Sequence, residues 1–329
     1  MGPLRIGVLG AARIVPTALL VPARAVPEVT VTAVAARDLE RARAFAARHG
    51  IPRVLGSYDE LVDDPDIDAI YNPLPNSLHC RWTVRALASG KHVLCEKPLA
   101  SNAAEAEEMG AAAERSGRVF MEAFHWRYHP LAARMIAVAT DGTLGDVQRI
   151  ETNMCVPLLL PGNIRYDYAL GGGATMDTGC YAVSVLRHLA GAEPEVTRAE
   201  ARLSSAKVDR FMAADLTFAD GRTGRMRCSL FSATLLDISV RVTGTLGEMR
   251  VFNPVAPQLT HWLTVRTAKG KRVEKFPGPS TYEHQLRAFA RSVTTGGPVI
   301  TSARDGIANM RVIDAIYDKA GLPRRGAAG

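Results

Sequence analysis

The first 122 residues alternate short apolar runs with helical stretches, and this rhythm restricts the folds open to the chain. The runs with strand character are residues 4–9, 29–36, 53–55, 67–71, 91–95 and 118–122. Helices between consecutive strands allow those strands to lie parallel, since a parallel pair needs a crossover of at least about a dozen residues. The sequence therefore predicts an α/β fold whose N-terminal part is a Rossmann-type, doubly wound parallel sheet with right-handed crossovers.

The first turn of this region follows the apolar run 4–9 at Gly10. A strand, a tight turn and a helix opening at that glycine are the layout of a dinucleotide-binding unit. The glycine pattern is degenerate, because alanine and valine occupy the places of its second and third glycines. We expect cofactor contacts at Gly10, Ala12, Arg13 and Ile14.

The end of the second strand carries a basic residue instead of an acidic one. An acid at this place binds the ribose hydroxyls of NAD, whereas an arginine accommodates the 2′-phosphate of NADP. Here Arg37 follows the strand and Arg41 lies one helical turn further on. Asp38 is interpreted as the N-cap of the next helix. The sequence favours NADP(H) over NAD(H), which stays possible, and leaves open that Arg41 is a surface helix arginine.

The stretch Glu96-Lys97-Pro98 closes the fifth strand. Proline prevents both a continuing strand ladder and an immediate helix. Ligands of open α/β sheets bind at the carboxyl ends of the strands, so Lys97 is placed to touch a substrate. A solvated lysine on a loop is the alternative.

The alternation of short apolar runs and helical stretches ends after residue 122. We take this position as the boundary between a dinucleotide-binding domain, 1–122, and a substrate-binding and oligomerisation domain, 123–329. From Gln148 onward most segments alternate with period two, which predicts a large open, mostly antiparallel sheet within a C-terminal α/β domain. Two final helices, 281–295 and 303–320, are expected to pack back near the first domain. An apolar open face of the sheet would favour self-association.

Composition excludes several classes of function. The net charge of +7 comes from 40 basic and 33 acidic residues without a basic cluster, so no nucleic-acid partner is predicted. No apolar run approaches the length of a membrane span. Five scattered cysteines without a C-x-x-C pair suggest neither a zinc site nor a disulfide framework, and the eight histidines predict no metal site. We expect a cytoplasmic protein, because the chain begins directly with a strand and not with a signal peptide.

Four motifs together resemble one known family. They are VLGAARI, Glu96-Lys97-Pro98, Trp126-Arg127-Tyr128-His129-Pro130 and the segment from Gly171-Gly172-Gly173 through Asp177 and Gly179 to Tyr181. This combination is similar to the glucose–fructose oxidoreductase / inositol dehydrogenase (Gfo/Idh/MocA) family over nearly the whole chain. The resemblance implies a nicotinamide-dependent oxidoreductase, a homodimer or homotetramer formed through the C-terminal sheet, and a lysine–proline bond that is often cis.

Many members of that family carry histidine where this chain has Tyr181. The tyrosine is similar to the branch that contains glucose–fructose oxidoreductase, dimeric dihydrodiol and xylose dehydrogenases and nucleotide-sugar ketoreductases. Inositol-like substrates are therefore disfavoured. The resemblance implies further cofactor contacts at Leu74, Pro75, Asn76, His79, Glu96, Lys97, Trp126 and Arg127. It implies a substrate wall of Lys97, Trp126, Arg165, Asp177, Tyr181 and Tyr282.

For two of these side chains the sequence also allows a purely structural role. His79 lies in the first turn of the helix after the fourth strand, where it can be a helix-surface histidine. Trp126 follows the sixth strand, where the two domains are expected to meet, and can be an interface packing residue.

Hydride transfer at carbon requires a proton to move at the attached oxygen. A tyrosine beside a cation can move that proton, because the positive charge lowers the tyrosine pKa from about 10. We predict Tyr181 as general acid/base, Lys97 as the assisting cation, and Asp177, four residues earlier, as a group that orients Lys97 or a substrate hydroxyl. Tyr181 as a core tyrosine and Asp177 as a helix cap are the alternatives.

The predicted function is an NADP(H)-dependent oxidoreductase acting on a secondary alcohol or ketone of a carbohydrate-like substrate, meaning a sugar, a sugar derivative or a diol. Two alternatives stay open. One is a redox-neutral sugar conversion that recycles a tightly held nicotinamide. The other is a catalytically silent nucleotide-sensing protein on the same fold.

Overall fold

The computed structural model describes residues 2–158 and 162–326. The chain forms two compact units. Unit 1 consists of Met1–Ala100, Ala104–His125 and Tyr282–Ile307, and unit 2 consists of Ser101–Ala103, Trp126–Thr281 and Ala308–Gly329. In the described residues no helix is long and apolar enough to cross a bilayer.

The helices and strands follow one another closely along the chain. The strands are β1 Leu4–Leu9, β2 Val29–Ala35, β3 Arg53–Leu55, β4 Ala69–Asn72, β5 His92–Cys95, β6 Phe120–Glu122, β7 Val147–Cys155, β8 Glu195–Ser205, β9 Val208–Thr217, β10 Thr223–Ser229, β11 Asp237–Gly244, β12 Gly247–Phe252, β13 Trp262–Thr267 and β14 Gly270–Glu274. The α-helices are α1 Val21–Ala23, α2 Leu39–His49, α3 Tyr58–Asp63, α4 His79–Ala88, α5 Ala103–Ser116, α6 Pro130–Thr140, α7 Cys180–Ala190, α8 Thr281–Thr295 and α9 Ala303–Lys319.

Unit 1 is built on a six-stranded sheet in the order β3-β2-β1-β4-β5-β6, in which every neighbouring pair is parallel. The central strands are almost wholly buried, as expected for a parallel sheet covered by helices on both faces. The predicted doubly wound fold is confirmed. The strand order reverses between β1 and β4, and ligands of such sheets bind at the carboxyl ends of the strands beside this point.

The first helix differs from the sequence prediction. A helix was expected to open at Gly10, but the chain stays irregular up to a π-helical turn, Pro16–Leu20, which α1 continues. Pro16 is the physical reason, because proline lacks the N–H that a helix interior needs and fits only a first turn.

Unit 2 is built on an eight-stranded sheet in the order β14-β13-β12-β11-β7-β10-β9-β8. Only the β7–β10 pair is parallel, so the expectation of a large, mostly antiparallel sheet is confirmed. Helix α7 packs on the inner face, where Thr152 Oγ1 donates to Ala182 O at 3.1 Å. Gly224 allows close packing there, because a Cβ atom at that position would lie 3.0 Å from Leu186.

The outer face of this sheet is charged. Arginine–carboxylate pairs cover it, among them Arg149–Glu151, Arg225–Asp215 and Arg241–Glu248. The sequence argument for self-association assumed an apolar face, and that assumption is wrong. A homodimer or homotetramer stays a prediction from the family resemblance alone, which light scattering at low and high salt would test.

Candidate active site

The turn after β1 begins with a buried glycine, Gly10, at the point where the strand order reverses. Gly10 has a φ of +89°, and its N–H donates to Ala35 O at 2.6 Å. A Cβ atom at Gly10 would lie 3.1 Å from the Leu74 side chain. Ala12 and Ile14 are half-buried and Arg13 is exposed. The turn therefore fits the close approach of a pyrophosphate, which a side chain at Gly10 would obstruct.

The end of β2 is basic. Arg37 and Arg41 are both exposed there, and Arg41 Nη2 donates to Ala11 O at 2.9 Å. Arg41 is thus tied to the turn after β1 instead of extending from the helix surface alone. The Asp38 carboxylate accepts from Arg41 N at 3.0 Å, which confirms its interpretation as the N-cap of α2. The Asp38 carboxylate is occupied by its capping hydrogen bond to α2. The guanidinium groups of Arg37 and Arg41 are suited to bind a phosphate monoester.

Tyr58 also belongs to this region, although sequence reasoning did not find it. Its hydroxyl lies 3.7 Å from the position of a Cβ atom on Gly10, and its ring packs edge-on against Trp82 with 5.0 Å between ring centres. Burial raises the pKa of Tyr58, and the nearby charges of Arg37 and Arg41 oppose that effect. No local signal marks this residue, because its position depends on how α3 packs beside β1.

The segment after β4 is held from inside the fold. Leu74 is buried, and Pro75 and Asn76 are half-buried at the start of a 3₁₀ turn, Asn76–Leu78. The buried Asn72 side chain donates to Thr83 Oγ1 at 3.1 Å and accepts from Leu74 N at 3.4 Å. These contacts fix the backbone that lies opposite Gly10.

His79 is fully buried, so the helix-surface alternative is wrong. Its Nδ1 lies 2.9 Å from Pro98 O and its Nε2 lies 2.8 Å from Leu74 O. Burial lowers the pKa of His79. The ring thus ties the segment after β4 to the segment after β5, and both of its nitrogens are directed at backbone carbonyl groups. The family resemblance implied a cofactor contact at His79, and the hydrogen bonds of both ring nitrogens are made within the protein.

Glu96 and Lys97 lie at the carboxyl end of β5. Tyr71 Oη donates to Glu96 Oε1 at 2.6 Å, and Lys97 N lies 3.4 Å from Glu96 Oε2. The Glu96 carboxylate is buried, whereas the Lys97 side chain is half-buried. The Lys97–Pro98 peptide bond is cis. Tyr71, which sequence reasoning missed, therefore orients the carboxylate next to the candidate catalytic lysine.

A tilted pair of aromatic rings, His125 and Tyr282, lies near this lysine. The ring centres of His125 and Tyr282 are 4.1 Å apart. Burial, and secondarily the charge of Lys97, lowers the pKa of His125 to about 3, so the imidazole is neutral at pH 7. Burial, and secondarily the charge of Glu96, raises the pKa of Tyr282, so its hydroxyl stays protonated. Tyr282 belongs to unit 1, together with Lys97.

Trp126 is fully buried in unit 2. Its ring packs edge-on against His188, with 5.8 Å between ring centres, and the guanidinium of the half-buried Arg127 lies 5.5 Å from the ring centre. Both contacts lie within unit 2, so they do not test the interface packing named as the alternative for Trp126.

The glycine-rich segment leads into α7 through a π-helical turn, Thr175–Gly179. The Asp177 carboxylate lies 2.7 Å from Arg165 Nε, and the N-cap position of the turn is Ala174, without a side-chain cap. Asp177 therefore does not cap this turn, so the helix-cap alternative is wrong, and its carboxylate pairs with Arg165 instead. Tyr181 is half-buried at the second residue of α7. The four-residue spacing of Asp177 and Tyr181 would place both on one face of a regular α-helix. Instead, Asp177 lies in the π-helical turn and Tyr181 lies in α7. π-Helical turns are frequent at functional sites.

The structure thus assembles three groups of candidate residues, each within one unit. Unit 1 holds the basic strand end with Arg37 and Arg41, and the group of Glu96, Lys97 and Tyr282. Unit 2 holds Arg165 and Asp177 at the segment that ends with Tyr181. Among residues 2–158 and 162–326, no group of three or more His, Cys, Asp or Glu side chains is arranged to hold a metal ion. The five cysteines are buried thiols.

Comparison with known proteins gives two family matches. The profile described as an oxidoreductase family with an NAD-binding Rossmann fold (GFO/IDH/MocA) matches residues 4–124, and the GFO/IDH/MocA C-terminal domain matches residues 132–250. Among curated relatives, the D-xylose 1-dehydrogenase (NADP(+)) 2 of Haloferax volcanii is 37% identical over 95% of this chain and 96% of its own length.

Solved structures give the same assignment. A 3-ketoreductase from Actinomadura kijaniata, solved with NADP and TDP-benzene, superposes with a TM-score of 0.90 at 29% identity, covering 97% of this chain and 98% of its own. Other structures of that ketoreductase carry a substituted lysine or a substituted tyrosine. An aldose–aldose oxidoreductase from Caulobacter crescentus, solved with glycerol, superposes with a TM-score of 0.88 at 28% identity, covering 97% and 98%. This chain belongs to the GFO/IDH/MocA family of oxidoreductases.

Proposed function

We propose that this protein is an NADP(H)-dependent oxidoreductase that acts on a secondary alcohol or ketone of a sugar, a sugar derivative or a diol. The observation that carries the proposal is Lys97, half-buried at the carboxyl end of β5 beside a carboxylate that Tyr71 orients. A cation at this end of a Rossmann sheet lies where substrates of such folds react. The similarity to a D-xylose 1-dehydrogenase (NADP(+)) and to a 3-ketoreductase solved with NADP supports the same class of reaction.

The residues of unit 1 fit NADP(H). The bare turn at Gly10 would accept the pyrophosphate, and Arg37 and Arg41 would bind the 2′-phosphate. When bound, the nicotinamide supplies the hydride acceptor or donor. The protein's own part is to hold the phosphates and to present Lys97 and Glu96 beside the reacting carbon.

Tyr181 is proposed to move the proton. In the oxidation direction the substrate O–H proton passes to Tyr181 Oη while the carbon gives up its hydride, and reduction reverses both transfers. Lys97 is proposed to hold the substrate oxygen and to favour the tyrosinate by its positive charge. The lysine and the tyrosine substituted in the ketoreductase structures are separated by the same number of positions as Lys97 and Tyr181, which supports this assignment.

Asp177 is proposed to accept a hydrogen bond from a substrate hydroxyl, with Arg165 fixing its carboxylate. The half-buried Tyr282 side chain, which packs on the buried neutral His125 ring, offers a hydroxyl group and apolar ring surface without charge. A neutral polyol suits such surroundings better than a strongly charged substrate does.

A screen for turnover tests the proposal. Purified protein with NADP(+) is offered aldoses and vicinal diols, and protein with NADPH is offered ketoses and ketones, with nicotinamide absorbance as the readout. Tyr181→Phe is expected to lower kcat by about 10²- to 10⁴-fold, the usual contribution of a positioned acid or base. Lys97→Ala should lower it comparably.

Two matched variants serve as controls for this screen. Tyr166→Phe removes only a hydroxyl that donates to Leu158 O, and Lys271→Ala removes an exposed lysine of β14. Both should retain activity. Full activity in Tyr181→Phe would refute the acid/base assignment, and NADPH binding without turnover of any substrate would favour the nucleotide-sensing alternative.

A redox-neutral conversion is the second candidate, and the similarity to an aldose–aldose oxidoreductase favours it. It requires a nicotinamide that stays bound between two half-reactions. Release of NADP(H) from the purified, denatured protein, together with conversion of a sugar pair without net change in absorbance, would support it. A protein that purifies without nucleotide and turns over free NADPH would exclude it.

A further inference from the structure

Asp209, on β9, is a fully buried carboxylate with four hydrogen bonds. Its Oδ2 accepts from Thr175 N and from Thr175 Oγ1, both at 2.7 Å. Its Oδ1 accepts from Arg325 Nη2 at 2.8 Å and from Tyr317 Oη at 3.0 Å. Burial, and secondarily the charge of Asp209, keeps the pKa of Tyr317 well above its usual value, so the hydroxyl remains a donor. Both carboxylate oxygens are thus satisfied by protein groups.

Arg325, in the segment after α9, is equally buried. Besides the bond to Asp209, its Nε donates to Gly172 O at 2.6 Å and its Nη1 donates to Pro323 O at 2.9 Å. The guanidinium lies 4.2 Å from the ring centre of Tyr317 and 5.0 Å from that of Tyr168. The planar cation is therefore fixed by hydrogen bonds at its edges and by rings at its faces.

This ion pair packs directly against the backbone of the glycine-rich segment. Gly173 has a φ of +137°, and a Cβ atom there would lie 2.3 Å from Asp209 Oδ1 and 2.8 Å from Arg325 Nη2. The absence of a side chain at Gly173 is what allows the pair to reach the carbonyl of Gly172 on one side and the amide of Thr175 on the other.

The residues it holds lead directly to the proposed catalytic group. Thr175 opens the π-helical turn that contains Asp177, and Tyr181 follows that turn by two residues. Asn309, on α9, donates to Cys180 O at 3.2 Å. Asn309, Tyr317 and Arg325 all lie outside the residues that match the C-terminal family profile, 132–250.

We propose that the Asp209–Arg325 pair is a positioning device that sets the place of Tyr181 and Asp177 through the glycine-rich segment. Neither member touches the reacting atoms. The inference rests on the proposed function, in which Tyr181 is the acid/base. A buried ion pair is weak as a source of net stability, but it fixes a unique backbone path. A misplacement of about 1 Å at a reacting group can lower a rate by about 100-fold.

The test compares four variants of the full chain. Arg325→Met removes the cation, Arg325→Lys keeps a charge but cannot serve Asp209 and Gly172 together, and Tyr317→Phe removes one hydrogen bond while retaining the pair. Arg324→Ala is the matched control, since Arg324 is half-exposed and pairs with Asp318. Each is measured for the melting temperature, NADPH affinity by nicotinamide fluorescence, kcat with its pH profile, KM, and amide exchange over residues 165–181.

Arg325→Met is expected to lower kcat per folded molecule by about 10- to 100-fold and to shift the pH midpoint of kcat. NADPH affinity should stay within about twofold, because Gly10, Arg37 and Arg41, the residues proposed to hold the phosphates, lie in unit 1. Arg325→Lys should recover part of the rate, Tyr317→Phe should lose a few-fold, and Arg324→Ala should match the unchanged protein. Amide exchange of residues 171–181 should rise in Arg325→Met.

A melting temperature that falls while kcat per folded molecule, its pH profile and the exchange of residues 171–181 stay the same would overturn the proposal and leave a structural role. If Arg325→Met does not fold, unchanged kcat and exchange in both Tyr317→Phe and Arg325→Lys would overturn it instead. Failure of the proposed function is distinguishable. In that case the unchanged protein shows no turnover with any substrate, and the amide-exchange comparison alone decides the positioning role.

Discussion

Arg165 forms an ion pair of 2.7 Å with Asp177, which lies within the segment that ends at Tyr181. The Arg165 side chain is 43% exposed, whereas that of Asp177 is 18% exposed. A pair this open to solvent contributes on the order of 0–1 kcal/mol to stability. Its main effect is geometric, since the guanidinium limits the directions in which the carboxylate can face.

Replacing Asp177 with asparagine keeps the shape of the side chain and removes its charge. We expect Asp177→Asn to raise KM for the sugar or diol about 10-fold or more, because a hydrogen bond to a charged group contributes about 1.5–3 kcal/mol. Steady-state kinetics on the best substrate of the screen is the measurement. Arg165→Ala should show a similar but smaller rise, with a melting temperature within a degree or two of the unchanged protein. Unaltered KM in both variants would remove Asp177 from the substrate site.

The two arginines at the end of β2 should set the preference for the phosphorylated cofactor. Arg37→Ala and Arg41→Ala are each expected to weaken NADPH binding by about 10- to 100-fold through loss of charge-assisted hydrogen bonds. NADH binding should change little. Titration followed by nicotinamide fluorescence measures both. The control is Arg43→Ala, because Arg43 is an exposed arginine of α2 that pairs with Glu40. Equal losses for the two cofactors would show that the arginines do not recognise the 2′-phosphate.

The buried His125 should make folding weaker in acid. An unfolded histidine binds a proton near pH 6.5, whereas the pKa of folded His125 is lowered to about 3, first by burial. Between these values the unfolded chain binds more protons, so stability falls as the pH falls through this window. One such group contributes at most about 1.4 kcal/mol per pH unit.

Urea unfolding at pH 7 and pH 5 checks this expectation. His125→Gln should lose up to ~2 kcal/mol less stability over that interval than the unchanged protein. Identical pH dependence in His125→Gln would mean that the histidine titrates alike in both states.

Gly173 should tolerate no side chain. Gly173→Ala introduces a methyl group 2.3 Å from Asp209 Oδ1 at a φ of +137°, so both a collision and backbone strain result. Gly50→Ala is matched for strain alone, because Gly50 has a φ of +69° and open space around it. We expect a loss of about 1 kcal/mol for Gly50→Ala and at least ~2 kcal/mol more for Gly173→Ala. Equal unfolding free energies of the two variants would contradict the tight packing around Asp209.

Much of the fold is predictable because its signals are local. Apolar runs between helices predicted the strands of the parallel sheet, and period-two alternation predicted those of the second sheet within a few residues. The strand β14 was missed, since nearly all of its residues are exposed at the sheet edge and show no alternation. The start of the first helical segment at Pro16 was missed, because the prediction took Gly10 as the start of the helix.

The candidate site divides in the same way. The sequence could name the candidate residues Lys97, Arg37 and Tyr181, because each of them follows a predicted strand or lies within a motif. Their surroundings could not. The burial of His79 and Trp126, the neighbourhood of Tyr58 and the bond from Tyr71 to Glu96 all depend on segments that fold together from different parts of the chain.

The fold class, the family and the candidate reactive groups could be read from the amino-acid sequence, since these follow from short-range patterns. The contacts proposed to hold those groups in place join segments that are distant along the chain, so they became visible in the folded structure alone. Asp209 and Arg325 are 116 positions apart and carry no shared motif. They meet because a buried carboxylate and a buried guanidinium must each find a partner away from water, and the backbone of Gly173 leaves the room in which they do so.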